Sequence, residues 1–389
     1  MLRFLTAGES HGKGLVVIIE GMPAGLPLSE DAIAVDLARR QKGYGRGRRQ
    51  KIEQDRAEIV SGVRHGLTLG SPISLTIQNR DWVNWTEAMS IDPIDKEVEK
   101  VTRLRPGHAD LAGAVKYGFD DVRPVLERAS ARETAARVAV GGVCKALLSQ
   151  IGVTAHSHTV QIGEVDAQIP DAIDWDAVDD SPVRCADASS AELMVRAIDA
   201  ARDSGDTLGG VVEGRVAGVP IGLGSHVHWD RKIDGLLAQA LMSIHSVKGV
   251  EIGGGFGLTR RTGSHVHDVI LPRNQWTSGP WQRASNNAGG TEGGITDGQE
   301  IVVRVALKPI ATLPRSLPSA DLGTGEEIAA HYERSDVCVV PAAGVIVEAM
   351  CAIVLARAAL EKFGGDSLAE MLRNFTSFQE TTGPRDLRE

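Results

Sequence analysis

The stretch from Glu127 to Val143, ERASARETAARVAVGGV, tolerates few surroundings. Ala135, Ala136, Ala139, Gly141, Gly142 and Ala146 spread small residues over several helical faces rather than one apolar stripe, which suits a helix packed between neighbours on more than one side. Ser130, followed three residues later by Glu133, predicts a capping box in which the hydroxyl accepts the N3 amide and the carboxylate reaches back to the cap amide. The helix is then expected to begin near Ala131. Arg128 and Arg132 flank that start, where the helix dipole already carries roughly half a positive charge. Two arrangements would neutralise them: a phosphate or carboxylate ligand held by free amides and guanidiniums, or a carboxylate from elsewhere in the chain on each arginine.

Around this segment the pattern is of strands in runs, with helices that do not alternate regularly with them. Leu2 to Thr6, Leu15 to Glu20, Glu58 to Gly62, Ser71 to Gln78, Val153 to Gly163, Val211 to Leu223 and Ile301 to Leu307 read as strands. Ser29 to Gln41 (capped by Ser29), Asp110 to Tyr117, Ser189 to Asp203, Ile233 to Ile244, Pro341 to about Phe363 and Leu368 to Phe378 read as helices. This predicts an α+β layered fold rather than a doubly wound one. At 389 residues the chain exceeds the usual limit of one core, yet no Pro/Ser-rich linker or composition shift marks a boundary, so residues 1–389 read as one intimately packed domain.

Net charge is −9 and aromatics make up only 4%, which argues against a general nucleic-acid binder; anionic ligands would have to be met by local basic clusters. One such cluster runs from Arg39 to Lys51, with seven basic residues, three glycines and no acid. It reads as an anion-capturing loop rather than a solvated face. Cys144, Cys185, Cys338 and Cys351 show no CxxC spacing and read as buried thiols of a reducing compartment. The N-terminus lacks the regions of a signal peptide, and the longest apolar run, Val337 to Val347, stops at Glu348, short of a bilayer span. A soluble, cytoplasmic protein without membrane attachment is expected.

Several short motifs need weighing. GESHG at Gly8 to Gly12 matches a nucleophile elbow, but a β-branched run follows where a helix is required, so Ser10 is not read as a nucleophile. His156 and His158, His226 and His228, and His265 and His267 are three His-x-His pairs that alternation would place on strand faces; without a carboxylate or cysteine cluster beside them they read as packing or surface residues, and no metal site is assigned. The glycine segments GGGFG and NNAGGTEGG match neither a dinucleotide nor a P-loop fingerprint, but they allow close backbone approach to a flat ligand. Lys308, after a strand, could place an ammonium beside a phosphate or ring carbonyl. His11 and His108 lie in Gly-bounded turns, GESHG and RPGHAD, next to candidate anion sites, where an imidazole can donate a proton. Arg334, Ser335 and Asp336 precede the long apolar helix as either a buried ion pair or an acid/base group.

Together these stretches resemble the chorismate synthase family along the whole chain. AGESHGKGLVVIIEGMPAG, ERASARETAARVAVGGV and RSDVCVVPAAGVIVEAM are similar to its three signatures, and QKGYGRGR, RPGHADLAGAVKYG, VKGVEIGGGFG and NNAGGTEGGI follow further family segments in order. The resemblance implies a homotetramer of β-α-β sandwiches, a helical layer lying between antiparallel sheets. It implies conversion of 5-enolpyruvylshikimate 3-phosphate to chorismate by 1,4-elimination of phosphate, a redox-neutral lyase reaction of the shikimate pathway that needs reduced FMN. By the same resemblance Arg40, Arg46, Arg49 and Arg132 would clamp substrate, with Arg40 and Arg46 also at NADP positions. Arg128, Ala129, Ser130, His245, Ser246, Gly293, Lys308, Pro309, Ile310, Ala311, Thr312 and Arg334 match flavin-contacting positions. His11 would protonate the leaving phosphate, His108 would stabilise the anionic reduced flavin, and Asp336 with Ser335 would assist proton removal. The chain departs from the family at Ala129, often Ser, and at His245 and Ser246, often Asn-Ala. Whether it reduces its own flavin with NADPH or depends on a separate flavin reductase is open, and a non-catalytic binder of phosphorylated metabolites is the alternative.

Overall fold

Strict alternation builds the first sheet. In the strand Gly14–Glu20, Leu15, Val17 and Ile19 point inward and are buried, while Val16 and Ile18 point outward. This strand pairs antiparallel with Arg3–Ala7 on one side and Ile73–Gln78 on the other, and Glu58–Ser61 closes the far edge. The second sheet, also antiparallel throughout, has the order Val247–Ile252, Ile301–Leu307, Gly210–Ala217, Thr154–Ile162 and Val165–Asp166. The computed structural model describes residues 1–47, 54–277, 280–333 and 335–384, so Arg49 and Arg334 lie outside the described residues.

Between the sheets lie the principal helices. The chain forms α1 (Glu30–Gln41), α2 (Asp110–Tyr117), α3 (Arg123–Arg128), α4 (Thr134–Ser149), α5 (Trp175–Asp180), α6 (Ala188–Asp203), α7 (Ile233–Met242), α8 (Val340–Phe363) and α9 (Leu368–Glu380). α4 packs on the first sheet and on α1, α8 packs on the second sheet and on α7, and α4 and α8 cross in the middle. The fold is therefore an α+β sandwich with its helical layer inside.

The small residues of α4 make that crossing possible. A Cβ on Gly141 would overlap the Ala349 Cβ and lie 2.6 Å from its Cα, and one on Gly142 would lie 3.3 Å from the Ile33 Cα of α1. The predicted capping box is not formed. The Ser130 hydroxyl accepts from the Arg132 amide at 3.3 Å, and the chain makes a 3-10 turn over Ala131–Glu133 before α4 starts at Thr134. Glu133 turns instead to Arg137, one helical turn on, and to the Thr6 hydroxyl, both at 2.8 Å; a cation and a tertiary donor outcompete the cap amide.

α8 reaches Phe363, as the sequence pattern indicates, and carries Glu348 within it; its most apolar window has a mean hydropathy of 2.0 and is 83% buried inside the protein. The Glu348 carboxylate is wholly buried, accepting from Arg39 (2.7 and 2.9 Å), Lys145 (2.7 Å), Ser157 (2.7 Å) and Arg184 (3.3 Å). Burial would raise its pKa, but Lys145 and the two arginines hold it well below the usual carboxylate range. Arg39 is thus a structural ion-pair partner, joined also to Asp36 and Asp179, and not part of an anion-capturing loop. The strand expected through Leu223 stops at Ala217, where Gly218 turns with φ +74° ahead of Pro220.

Only the first His-x-His pair sits on a strand: His156 stacks on Trp175 at 4.8 Å and His158 meets the same ring edge-on at 6.0 Å. His226 and His228 lie in an irregular segment, and His265 and His267 in and after a 3-10 turn. Among the described residues no group of three or more His, Cys, Asp or Glu side chains is placed to hold a metal ion. All four cysteines are free and buried; burial pushes the Cys338 thiol up to about 11 and the Cys351 thiol up to about 12.

The helix crossing makes a prediction whose sign is informative. On helix propensity alone Gly141→Ala would stabilise by roughly 1 kcal/mol, whereas overpacking against Ala349 should destabilise by about 1–3 kcal/mol. A lowered urea midpoint at unchanged slope is expected. A raised midpoint would contradict the close crossing.

Candidate active site

At the edge of the helical layer a cavity of about 820 Å³ opens, a volume near the upper end for small-molecule sites and large enough for a substrate together with a cofactor. Chain segments far apart in sequence converge on it. The turn after the first strand brings Ser10 and His11; the end of α1 and the turn after it bring Arg40 and Arg46; the link between α3 and α4 brings Ala129, Ser130 and Arg132. The loop before α2 supplies Arg105 and His108, and the end of the strand Ile301–Leu307 leads into Lys308, Ile310, Ala311 and Thr312. Ser335 and Asp336 close one side, ahead of the apolar α8 face of Ala342, Ala343 and Ile346.

The cationic wall is built in, not draped over the surface. Arg40 is buried and donates through Nε to the Thr134 hydroxyl (2.9 Å) and through Nη2 to the Ala131 carbonyl (2.8 Å). Burial lowers its pKa to about 10, with Arg46 and Arg132 pushing the same way and Asp55 opposing them. Asp55 sits between two of these guanidiniums, 3.4 Å from Arg40 and in closer contact with Arg132. Arg132 also donates to the Asn79 side-chain oxygen at 3.0 Å. Of the two arrangements open for Arg132, the chain's own carboxylate is realised, while the residue still lines the cavity. Arg46 Nη1 pairs with Asp336 Oδ2 at 3.2 Å, and its buried Nε has no partner among the described residues; Asp336 Oδ1 accepts from the Gly47 amide.

The two histidines sit in carboxylate-supported turns. His11 stacks on Trp85 with centroids 3.9 Å apart and its Nδ1 lies 2.9 Å from Glu127 Oε1. His108 Nδ1 contacts Asp110 Oδ1, and Arg105 grips the same carboxylate at 2.8 and 3.0 Å. Despite burial, His108 and Arg105 hold the Asp110 carboxyl well below its ordinary range. Lys308 Nζ donates to the Gly107 carbonyl, and burial with neighbouring Lys248 lowers its pKa. Its own amide donates to the carbonyl of Ser246, a left-handed residue at φ 68° that seats His245 at the cavity wall. Burial pushes the His245 imidazole down to about 4, so it is neutral near pH 7, and its buried Nδ1 has no partner among the described residues.

Of the residues singled out in the sequence, the cavity gathers His11, Arg40, Arg46, His108, Ala129, Ser130, Arg132, His245, Ser246, Lys308, Ile310, Ala311, Thr312, Ser335 and Asp336. Arg128, Pro309 and Gly293 do not line it. Arg128 is exposed and donates to the Gly8 and Thr6 carbonyls, tying down the end of the first strand, and Gly293 lies in the turn between the short strands Thr291–Glu292 and Ile295–Thr296. Sequence reasoning missed Arg105, Glu127, Trp85 and Asp55. Arg105 and Asp110 could have been found inside the RPGHAD turn itself; the others have no local signature. Ser10 is buried, with its hydroxyl accepting from Ser130 at 3.1 Å, which suits a packing role.

The α+β sandwich thus carries a cavity lined by fixed cations and by histidines backed with carboxylates, an arrangement suited to a small anionic ligand. The family model described as chorismate synthase matches residues 2–360. A chorismate synthase of Symbiobacterium thermophilum is 56% identical, covering 99% of this chain and all of its own length, and one of Leifsonia xyli is 54% identical over 97% of this chain. A solved structure described as "Crystal Structure of Chorismate Synthase" superposes with a TM-score of 0.77 at 46% identity, covering 97% of each chain. The chain belongs to the chorismate synthase family.

The neutral His245 generates a pH prediction. With a folded pKa of about 4 against an ordinary 6.5, the unfolded chain binds a proton that the fold refuses, so this contribution to stability is complete above pH 6.5 and is lost as pH falls toward 4. His245→Asn should therefore show a smaller drop in urea midpoint across that window than the parent protein. An equal drop would mean that His245 is not held neutral.

Proposed function

We propose that this cavity converts 5-enolpyruvylshikimate 3-phosphate to chorismate by 1,4-elimination of phosphate, with reduced FMN bound beside the substrate. The observation that carries the reading is the meeting of His11, His108 and Asp336 with Arg40, Arg46 and Arg132 in one cavity. A substrate with a phosphate and two carboxylates needs several fixed cations, and an elimination needs a proton donor at the leaving group and an acceptor at the C–H bond.

The residues present fit a flavin. Leu126, Ile244, Ile310, Ala342, Ala343 and Ile346 give the cavity an apolar lining for a flat ring, and neutral His245 with Lys308 offers polar groups for its edge. When bound, the reduced flavin supplies an electron-rich ring that assists loss of phosphate and is regenerated, so the reaction is redox-neutral. The chain's residues do the rest. Arg40, Arg46 and Arg132 orient the anionic substrate; the family resemblance gives the same role to Arg49 and a flavin-contacting role to Arg334, both outside the described residues. His11 gives a proton to the phosphate oxygen as the C–O bond breaks, and Asp336 with Ser335 assists removal of the ring proton as the new double bond forms. His108 places positive character near the reduced flavin. Ala129, Ser130, Ser246, Lys308, Ile310, Ala311 and Thr312 shape the flavin side, and Arg40 and Arg46 are also where NADPH would bind if the chain reduces its own flavin rather than using a separate reductase.

Assembly as a homotetramer belongs to the same reading and is supported by Leu5, Val16 and Ile18, apolar side chains exposed on the outer face of the first sheet. Four free, buried thiols support a reducing, cytoplasmic location.

Anaerobic assay with dithionite-reduced FMN should release chorismate and inorganic phosphate in equal amounts. Binding of substrate without turnover would favour the metabolite-binding alternative. His11→Ala should slow turnover by about a hundredfold to ten-thousandfold with flavin affinity nearly intact. His108→Ala should weaken reduced FMN more than oxidised FMN, and equal weakening of both states would overturn the role given to His108.

A further inference from the structure

We infer that Glu127 is the positioning residue for His11, holding its ring by Nδ1 so that the opposite nitrogen, Nε2, serves the cavity; the inference rests on His11 being the proton donor. The Glu127 side chain is wholly shielded from solvent and binds the histidine twice over. Its Oε2 accepts the His11 backbone amide at 2.8 Å, and its carboxylate oxygens lie 2.9 and 3.0 Å from Nδ1. Its carbonyl accepts the Ser10 amide at 3.1 Å, which fixes the preceding residue on the same helix. A carboxylate can only accept, so the nitrogen facing Glu127 carries a proton.

The other groups packed on the ring fix its plane. Trp85 stacks on His11 at an interplanar angle of 24°, and the Arg123 guanidinium lies 5.3 Å from the Trp85 centroid. Arg123 also donates to Glu127 Oε1 at 3.3 Å and to Glu333 at 3.1 Å, which joins the histidine's support to the segment that carries Ser335 and Asp336. The ring is thus fixed in plane by Trp85 and in tautomer by Glu127. In the elimination, the Nε2 proton moves to the phosphate oxygen while the C–O bond breaks, and the Nδ1 proton stays with the imidazole on Glu127. The ring is left as the Nδ1–H tautomer that the carboxylate favours.

In Glu127→Gln the amide can present N–H₂ to Nδ1, which favours the opposite tautomer and opposes the cation. Turnover in the anaerobic assay should then fall about a hundredfold or more, while affinity for 5-enolpyruvylshikimate 3-phosphate, measured by calorimetry with oxidised FMN present, stays within about threefold. The decisive measurement is the double variant. If Glu127 acts through His11, adding Glu127→Gln to His11→Ala slows turnover no further. A purely structural Glu127 would instead multiply the two losses and weaken substrate binding in step with a lowered Tm, and either result overturns the inference. So would parent-like turnover in Glu127→Gln. His11→Ala at the parent rate would overturn the proton-donor reading, and the role of Glu127 with it. If Glu127→Gln does not fold, Glu127→Asp carries the same comparison, since the shorter carboxylate keeps the charge but loses the register with Nδ1.

Discussion

The close crossing of α4 and α8 at Gly141 and Ala349 sets the spacing on which the rest of the molecule depends. Because neither residue carries more than a methyl group, the two central helices approach closely and each still reaches its own sheet. That spacing brings the start of α8, with Ala342, Ala343 and Ile346, beside the link between α3 and α4 that carries Ala129 to Arg132. The cavity is the gap left where these helix ends, bound to different sheets, cannot close against each other.

Burying so many cations next to the core is costly unless each is paired, and the chain answers with carboxylates set behind the cavity wall. Asp55 stands between Arg40 and Arg132, Asp110 holds Arg105, and Glu348 gathers Arg39, Lys145 and Arg184 at the crossing of α1, α4 and α8. The Glu348 cluster lies one residue along α1 from Arg40, so the same helix end anchors the core and presents a cation to the cavity. The cations at the cavity are thereby fixed in place by the chain's own carboxylates, which is the condition for meeting a ligand's charge without reorganising.

Much of this was legible locally. Period and caps located α1, with its Ser29 cap, and α2 and the strand Ile301–Leu307 fell on the residues the pattern indicated. The small residues of α4 announced contacts on several sides. His11 and His108 stood out as imidazoles in glycine-bounded turns, and Asp336 as part of a compact polar triplet readable as an ion pair or an acid/base group, of which the structure shows the pair with Arg46. What could not be read was pairing across the chain. Glu127 lies 116 positions from His11 and Glu348 lies 309 from Arg39, and no local pattern records such partners. The capping box failed for the same reason, since Glu133 found Thr6 and Arg137. The charge run at Arg39 looked solvent-facing or ligand-facing because its buried partner belongs to α8.

The most direct test is a crystal structure with 5-enolpyruvylshikimate 3-phosphate and oxidised FMN bound. The account predicts the substrate phosphate within hydrogen-bonding distance of His11, its anionic groups on the arginine wall, the flavin ring against the α8 face and Ile310, and the contacts of Asp55 with Arg40 and Arg132 intact. Ligand density elsewhere, or an arginine wall that must break its carboxylate pairs to meet the substrate, would contradict it.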